Sequence, residues 1–520
     1  MAVLQKGNSI SPFWGENINL ITGLDPLGLQ VTSEATYATM LPGLSNLTNR
    51  LRYYGFYCWL IDFYFKREKK GNQTEQYRFI RRAELLIAII MQTERKHVMQ
   101  ITGSNFASTL INDASNVFDL KAGADKDRGS ERSYWKYPSG AFGQYYFGAM
   151  QALALTVRYE NDEGDIIFNV TQPHPKQKVS GKQLADAFEE SLTEDIKTLF
   201  YNGIKKGKLS HKNISELIQY FAIGKITPES TEWKLYIDML LDKDYPSKEI
   251  EEEFTFHRRN TIVSLLSSTN NIIQEYDWMG YLNKCYELKF INNQATNVGW
   301  YCYLLNEYWQ YACGLIFESM LRYMESLQTE IYLPKFITDF TALINTKLNI
   351  EIDITVEDYM GSIDRTESEL LEQINRNRTP QEIAKIGFDL LLRLYRSNRE
   401  QFPQIKEYMS RSGIARDGNM VDGLLSITIH LQKKVCDFIS MFIHKNIINR
   451  HQMVALRKMG NRAQATNKFI IEEQMIRLIE VFPAVRTSPR MNALRNLLYD
   501  LQIINDNGMI TELRTKIAFQ

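Results

Sequence analysis

The feature that most constrains this chain is the stretch at residues 41–65. Leu44, Leu47, Leu51, Tyr54, Cys58, Ile61 and Phe65 recur there at three- and four-residue steps, the spacing that lines side chains along one helix face. The remaining faces carry Tyr53, Phe56, Tyr57, Trp59 and Phe63. A helix that is apolar nearly all round has to be buried, so the fold needs a core able to enclose one helix completely. Leu41-Pro42-Gly43 marks a turn before it, and Ser45 or Asn46 is placed to cap its start. Arg50 and Arg52 are thereby carried into or beside the core. A buried guanidinium requires a partner, either a structural carboxylate or an anionic ligand held by its rigid donor fork.

A chain of 520 residues can supply such a core, and at about 150 residues per domain it suggests roughly two to four domains. With only 13 prolines and 28 glycines, helix breakers are scarce. The 61 basic and 61 acidic side chains cancel, which excludes a polybasic coat, an acidic tail and a disordered chain, though not a local patch. Cys58, Cys285, Cys302, Cys313 and Cys436 are scattered and include no Cys-x-x-Cys pair, so neither a disulfide framework nor a zinc ribbon is expected. The first residues lack an apolar core followed by a small-residue cleavage site. The most apolar run, 85–91, is far shorter than the roughly 20 residues of a membrane span. A cytoplasmic protein with no membrane contact is the expectation.

The fold class read from the pattern is mostly α with minor β, multi-domain, with winged-helix-like modules near both ends. Residues 145–155 read as a helix, 156–160 and 166–170 as strands about the turn Asn161-Asp162-Glu163-Gly164, and Gly181 opens another helix through Leu184, Ala185, Phe188 and Leu192. Helix, hairpin, helix is the order of a winged helix. A weaker instance closes the chain: a helix over 491–504, the turn 505–508 and a short strand over 509–513. The expected organisation is an N-terminal helical region, 1–195, with its winged-helix-like module at about 140–195; a helical middle, 196–430; and a basic C-terminal region, 431–520. Within the middle, breaks are expected near 245–247, 333–334, 379–380 and 402–403, and the alternation over 349–358 reads as a strand.

Three common catalytic motifs are absent. Neither Gly-x4-Gly-Lys-Ser/Thr nor Gly-x-Gly-x-x-Gly nor Gly-x-Ser-x-Gly is present, so no cofactor is assigned. His444 and His451 share a helix face but lack a third ligand, and no metal site is assigned. The alternative to a non-catalytic role is a metal-dependent nuclease, for which Asp277, Glu287 and Lys289 have the bare order of such a site on what reads as a helix. Glu318, Arg322 and Glu325 read as intrahelical pairing.

Two basic stretches stand out. Residues 66–82 hold Lys66, Arg67, Lys69, Lys70, Arg78, Arg81 and Arg82 against Glu68 and Glu75, broken at Gly71-Asn72. Between Asp437 and Glu472 no acidic residue occurs, while Lys445, Arg450, Arg457, Lys458, Arg462 and Lys468 do. Lys433 and Lys434 precede that stretch, and Arg486, Arg490 and Arg495 follow it. Such clusters attract phosphate backbones through counterion release, or an acidic protein partner. The 66–82 stretch reads mainly as a solvated face, and the expected DNA- or partner-binding residues are Lys445, Arg450, Arg457, Lys458, Arg462, Lys468, Arg486 and Arg490.

Leu41-Pro42-Gly43-Leu44-Ser45-Asn46-Leu47-Thr48-Asn49-Arg50-Leu51-Arg52-Tyr53-Tyr54-x-Phe56-x-x-Trp59, together with Trp14 and 23–28 (Gly-Leu-Asp-Pro-Leu-Gly), resembles the opening of bacterial proteins found in anti-phage and anti-plasmid defence gene clusters. Residues 181–188 and the Ser488-Pro489-Arg490-x-Asn492 stretch are similar too. The resemblance implies a subunit of a multi-protein defence complex, alongside a separate ATPase, SMC-like proteins included, or a nuclease. The expected function is therefore a DNA-contacting or scaffolding, adaptor-type subunit without catalytic activity of its own.

Overall fold

The computed structural model describes residues 19–20, 25–68, 71–94, 101–112, 117–124, 137–224, 226–246, 249–267, 275–291, 294–348, 353–374, 378–459 and 464–518. Helix accounts for 65% and strand for 7%, so the chain is mostly helical with small sheets, as the scarcity of breakers implied. It divides into two compact units, each built from separated stretches. The first comprises Met1–Thr36, Leu282–Asn293 and Asn297–Thr487; the second comprises Tyr37–Tyr281, Gln294–Thr296 and Ser488–Gln520. Among the described residues no helix is long and apolar enough to cross a membrane.

The core of the second unit forms around the Arg52–Arg67 helix, in which every residue over 52–61 is buried. Trp59 stacks on Phe63 at 4.8 Å and meets Phe188, Phe200 and Phe221, so the aromatic excess is what fills this core. A Cβ on Gly55 would lie 2.2 Å from the Tyr236 hydroxyl; the Thr231–Leu241 helix packs there on bare backbone. The helix begins later than its spacing suggests. Ser45 N–H donates to Thr48 Oγ1 at 2.9 Å and Leu47 N–H to Ser45 Oγ at 3.2 Å, and these local bonds hold 45–48 as a turn. Leu47 is consequently exposed.

After Gly71 and Asn72 the Gln73–Glu94 helix starts, with Asn72 Oδ1 accepting Glu75 N–H at 2.8 Å. The expected hairpin is present: Thr156–Glu160 pairs antiparallel with Ile166–Val170, Thr156 opposite Val170 and Glu160 opposite Ile166. It follows the Phe147–Ala152 helix, itself the continuation of a π-helical turn at Phe142–Tyr146. Gly181–Glu189 comes after, started by a Ser180–Gln183 capping box; it ends before Leu192. At the C-terminus Met491–Asp500 is helical and Asn505 Oδ1 builds the turn by accepting the N–H groups of Asn507 and Met509. The strand expected over 509–513 is reduced to single bridges, Ile504 to Ile510 and Glu275 to Met509. A 3-10 turn, Glu512–Arg514, replaces the rest because the Thr511 hydroxyl accepts Leu513 N–H.

The first unit is organised by the Ala295–Leu327 helix from Asn297 onward, with Trp300, Tyr301, Leu305, Ile316 and Leu321 buried. Glu318 pairs with Arg322 at 2.6 Å and also accepts Ala484 N–H at 2.8 Å, while Glu307 accepts Thr487 N–H at 2.8 Å. Two buried carboxylates thus satisfy the backbone of a segment without regular structure. Met475–Leu478 lies between Ile331–Tyr332 and Phe469–Glu472, antiparallel to both, and Asn19–Leu20 pairs parallel with Gln464–Ala465. Helices begin at Leu333, Pro380 and Phe402, where breaks were expected. The strand expected over 349–358 is not formed in its described part. Thr355 caps the Val356–Gly361 helix, accepting Asp358 N–H at 3.1 Å, and only a bridge from Thr355 to Lys434 remains; residues 349–352 lie outside the described residues.

Candidate interaction surface

Arg50 and Arg52 each meet a carboxylate inside the second unit. Arg50 Nη2 lies 2.9 Å from Asp500 Oδ1 and its Nε donates to Oδ2 at 3.2 Å. Arg52 Nε donates to Glu232 Oε1 at 3.1 Å, its Nη1 to the carbonyls of Tyr220 and Ala222, and its guanidinium lies 4.8 Å from the Phe188 ring. Both serve as internal cross-links. The turn before the helix is held in the same manner. Arg490 donates to the Leu41 carbonyl at 3.1 Å, Arg258 to that of Pro42 at 3.1 Å, and the Tyr54 hydroxyl to that of Gly43 at 2.8 Å. Arg258, wholly buried, also pairs with Asp244 at 3.2 Å and donates to the Leu240 and Asp242 carbonyls. Nothing in the local sequence around Arg258 marks it, because its partners are carbonyls drawn from other parts of the chain.

The 66–82 stretch is similarly engaged. Lys66 pairs with Asp62 and Glu189, Arg67 with Glu194, and Arg78 with Glu75. Arg81 donates to the carbonyls of Ala124 and Pro138, and Arg82 to those of Ile204 and Lys205. Lys69 and Lys70 lie outside the described residues.

The C-terminal basic stretch sits in the first unit on a continuous helical run: Val435–Phe442, a π-helical segment Ile443–Asn449, and Arg450–Met459. Val435, Phe438, Ile439, Phe442, Ile447 and Val454 bury one side. Several of the expected binding residues are engaged with the chain's own carbonyls. Arg450 donates to the carbonyls of Leu27 (2.6 Å) and Gly28 (3.2 Å), and Lys458 to that of Asp25. His451 Nε2 accepts Lys468 N–H at 2.9 Å, so Nδ1 carries the proton and donates to the Pro26 carbonyl at 2.9 Å. Burial pushes the His451 imidazole down to about 4. The turn at 25–28 is therefore gripped carbonyl by carbonyl, as the turn at 41–43 is in the second unit. Lys468 is fully buried, pairs with Glu480 and lies 5.2 Å from the Phe482 ring. Arg490 belongs to the other unit and, besides its bond to Leu41, lies 5.3 Å from the Tyr37 ring. Arg462 lies outside the described residues. Lys445, Arg457 and Arg486 are exposed, as is Lys458, with Arg486 at 5.7 Å from the Tyr311 ring.

The exposed side of the run has its own pattern. Lys445, Asn449, Met453 and Arg457 follow four-residue steps, Leu456 lies three beyond Met453, and all five are exposed. Met453 and Leu456 are 63% and 64% exposed. His430 lies at one end of this face: burial, then the charges of Lys433 and Lys445, hold its imidazole below the usual value. Its neighbour Ile429 is 75% exposed. Asp25 and Glu34 lie near Lys458, and the charges of Asp25 and Arg457 both act on Arg450.

The nuclease-type residues are engaged separately. Asp277 Oδ1 accepts Gly280 N–H at 2.8 Å as a helix cap, Lys289 donates to the Ser397 carbonyl, and Glu287 is exposed on the Trp278–Leu288 helix. Among the described residues, no three His, Cys, Asp or Glu side chains come together as a metal site; His451 is buried and His444 exposed. No protein-family model, curated protein or solved structure matches the chain.

Proposed function

We propose that this protein is a non-catalytic interaction subunit of a bacterial anti-phage or anti-plasmid defence complex, contacting DNA or bridging partner subunits such as an ATPase or a nuclease. The observation that carries the reading is the acid-free exposed helix face of Lys445, Asn449, Met453, Leu456 and Arg457. Helix Phe147–Ala152, the hairpin and helix Gly181–Glu189 are read as a winged-helix-like module with the hairpin as wing. Supporting that reading, the strand Thr156–Glu160 is exposed along 157–160 and carries Arg158. Met491–Asp500 and its turn are read as a reduced counterpart.

The test is duplex-DNA binding across a salt series, together with co-purification of the chain expressed with its neighbouring genes. Lys445→Glu/Arg457→Glu should weaken duplex binding at least about tenfold and flatten the salt slope by about two. A stoichiometric ATPase or nuclease should be retained. Unchanged DNA binding in the variant, with the chain recovered alone, contradicts the reading, as does Mg²⁺-dependent cleavage by the purified chain.

A further inference from the structure

The exposed face of the 435–459 run is mixed in a way that discriminates between its two classes of partner. Lys445 and Arg457 lie twelve residues apart, about 18 Å of helix, and bracket Met453 and Leu456. Exposed leucine or methionine taken singly needs no explanation. Here two of them, each nearly two-thirds exposed, sit side by side with cations on one face. A phosphate backbone would neutralise the cations and leave the thioether and the leucyl group without an apolar counterpart. An amphipathic helix with acidic flanks satisfies both, since its apolar stripe covers Met453 and Leu456 while its carboxylates meet Lys445 and Arg457. Methionine suits such a groove because its unbranched side chain adapts to the occupant. Ile429 and Lys433, at the His430 end, repeat the pairing of an exposed apolar side chain with a cation.

We infer that this face docks an acidic amphipathic helix of a partner protein, about three to four turns long, in preference to DNA. The inference rests on the reading of this region as the interaction surface and names the class of partner.

The test titrates the full-length chain into two labelled probes. One is a designed helical peptide of about 18 residues with a leucine stripe flanked by glutamates; the other is a mixed-sequence duplex of about 20 base pairs. Wild type is compared with Met453→Ser/Leu456→Ser and with Lys445→Glu/Arg457→Glu. All four positions are exposed, and an unchanged Tm verifies that each variant folds. The peptide should bind wild type, and each double variant should weaken it about tenfold or more. Any duplex binding should respond to charge reversal alone. Peptide affinity unmoved by the serine pair, or duplex binding without peptide binding, overturns the acidic-helix inference and leaves DNA contact standing. If neither probe binds, the inference and the reading beneath it both fall.

Discussion

Asp500 completes the start of the buried Arg52–Arg67 helix from 449 residues downstream, accepting Leu51 N–H at 2.8 Å while pairing with Arg50. Asp500→Ala leaves a buried guanidinium and a backbone N–H without their acceptor. The expected loss is about 3–5 kcal/mol of stability, and Asp500→Asn should lose less because its amide oxygen still accepts. Urea unfolding of the two variants measures the difference. Glu84 presents a different balance. Ala141 N–H, Phe142 N–H and the Tyr57 hydroxyl donate to its carboxyl group, yet burial outweighs them and pushes it up to about 8. The folded protein therefore holds a proton that the unfolded chain releases near 4.5. Its contribution to stability is complete at low pH and is lost as pH rises through that window, by about 1 kcal/mol per pH unit. Unfolding free energies from pH 5 to 8 should fall for wild type relative to Glu84→Gln; parallel curves would remove Glu84 from the account. That Arg50 needed a partner was legible in the sequence, since a charge on an all-apolar helix cannot stay unpaired. Which carboxylate answers it was not, because the pairing joins residues 450 apart.

At the scale of elements, the hairpin shows what pattern reading captures and what it misses. Strand, glycine turn and strand were legible because period-two alternation and a turn signal are local. The attachment was not. Gln76, fully buried, donates Nε2 to the Phe168 carbonyl and accepts Phe168 N–H on Oε1, both at 2.8 Å, so one side-chain amide completes the strand edge. Gln76→Leu should leave both backbone groups unsatisfied and lower stability by about 2–4 kcal/mol. Hydrogen exchange should rise first at Phe168, and unaltered protection there would contradict the assignment. The helix start at Arg52 and the helix over Val356–Gly361 depart from the pattern for one common reason. Short polar side chains, Ser45 with Thr48 and Thr355 with Asp358, make local bonds that outweigh hydrophobic spacing.

For the whole molecule, the basic residues of the distinctive motifs divide by use. Arg258 and Arg490 hold the 41–43 turn in one unit; Arg450, His451 and Lys458 hold the 25–28 turn in the other. A linear cluster of cations could not reveal this division, since buried arginines bonded to carbonyls and exposed ones read alike in sequence. Lys445 and Arg457 are exposed, and the proposed partner contact falls to them. The most direct measurement compares thermal unfolding of Arg450→Met with Arg457→Met, two cations seven residues apart on one helix. Arg450→Met should lower stability by about 1–3 kcal/mol, a Tm decrease of several degrees, because two turn carbonyls lose their donor. Arg457→Met should stay within about 0.5 kcal/mol of wild type. Equal losses, or a larger loss for Arg457→Met, would contradict the division between structural and interacting cations.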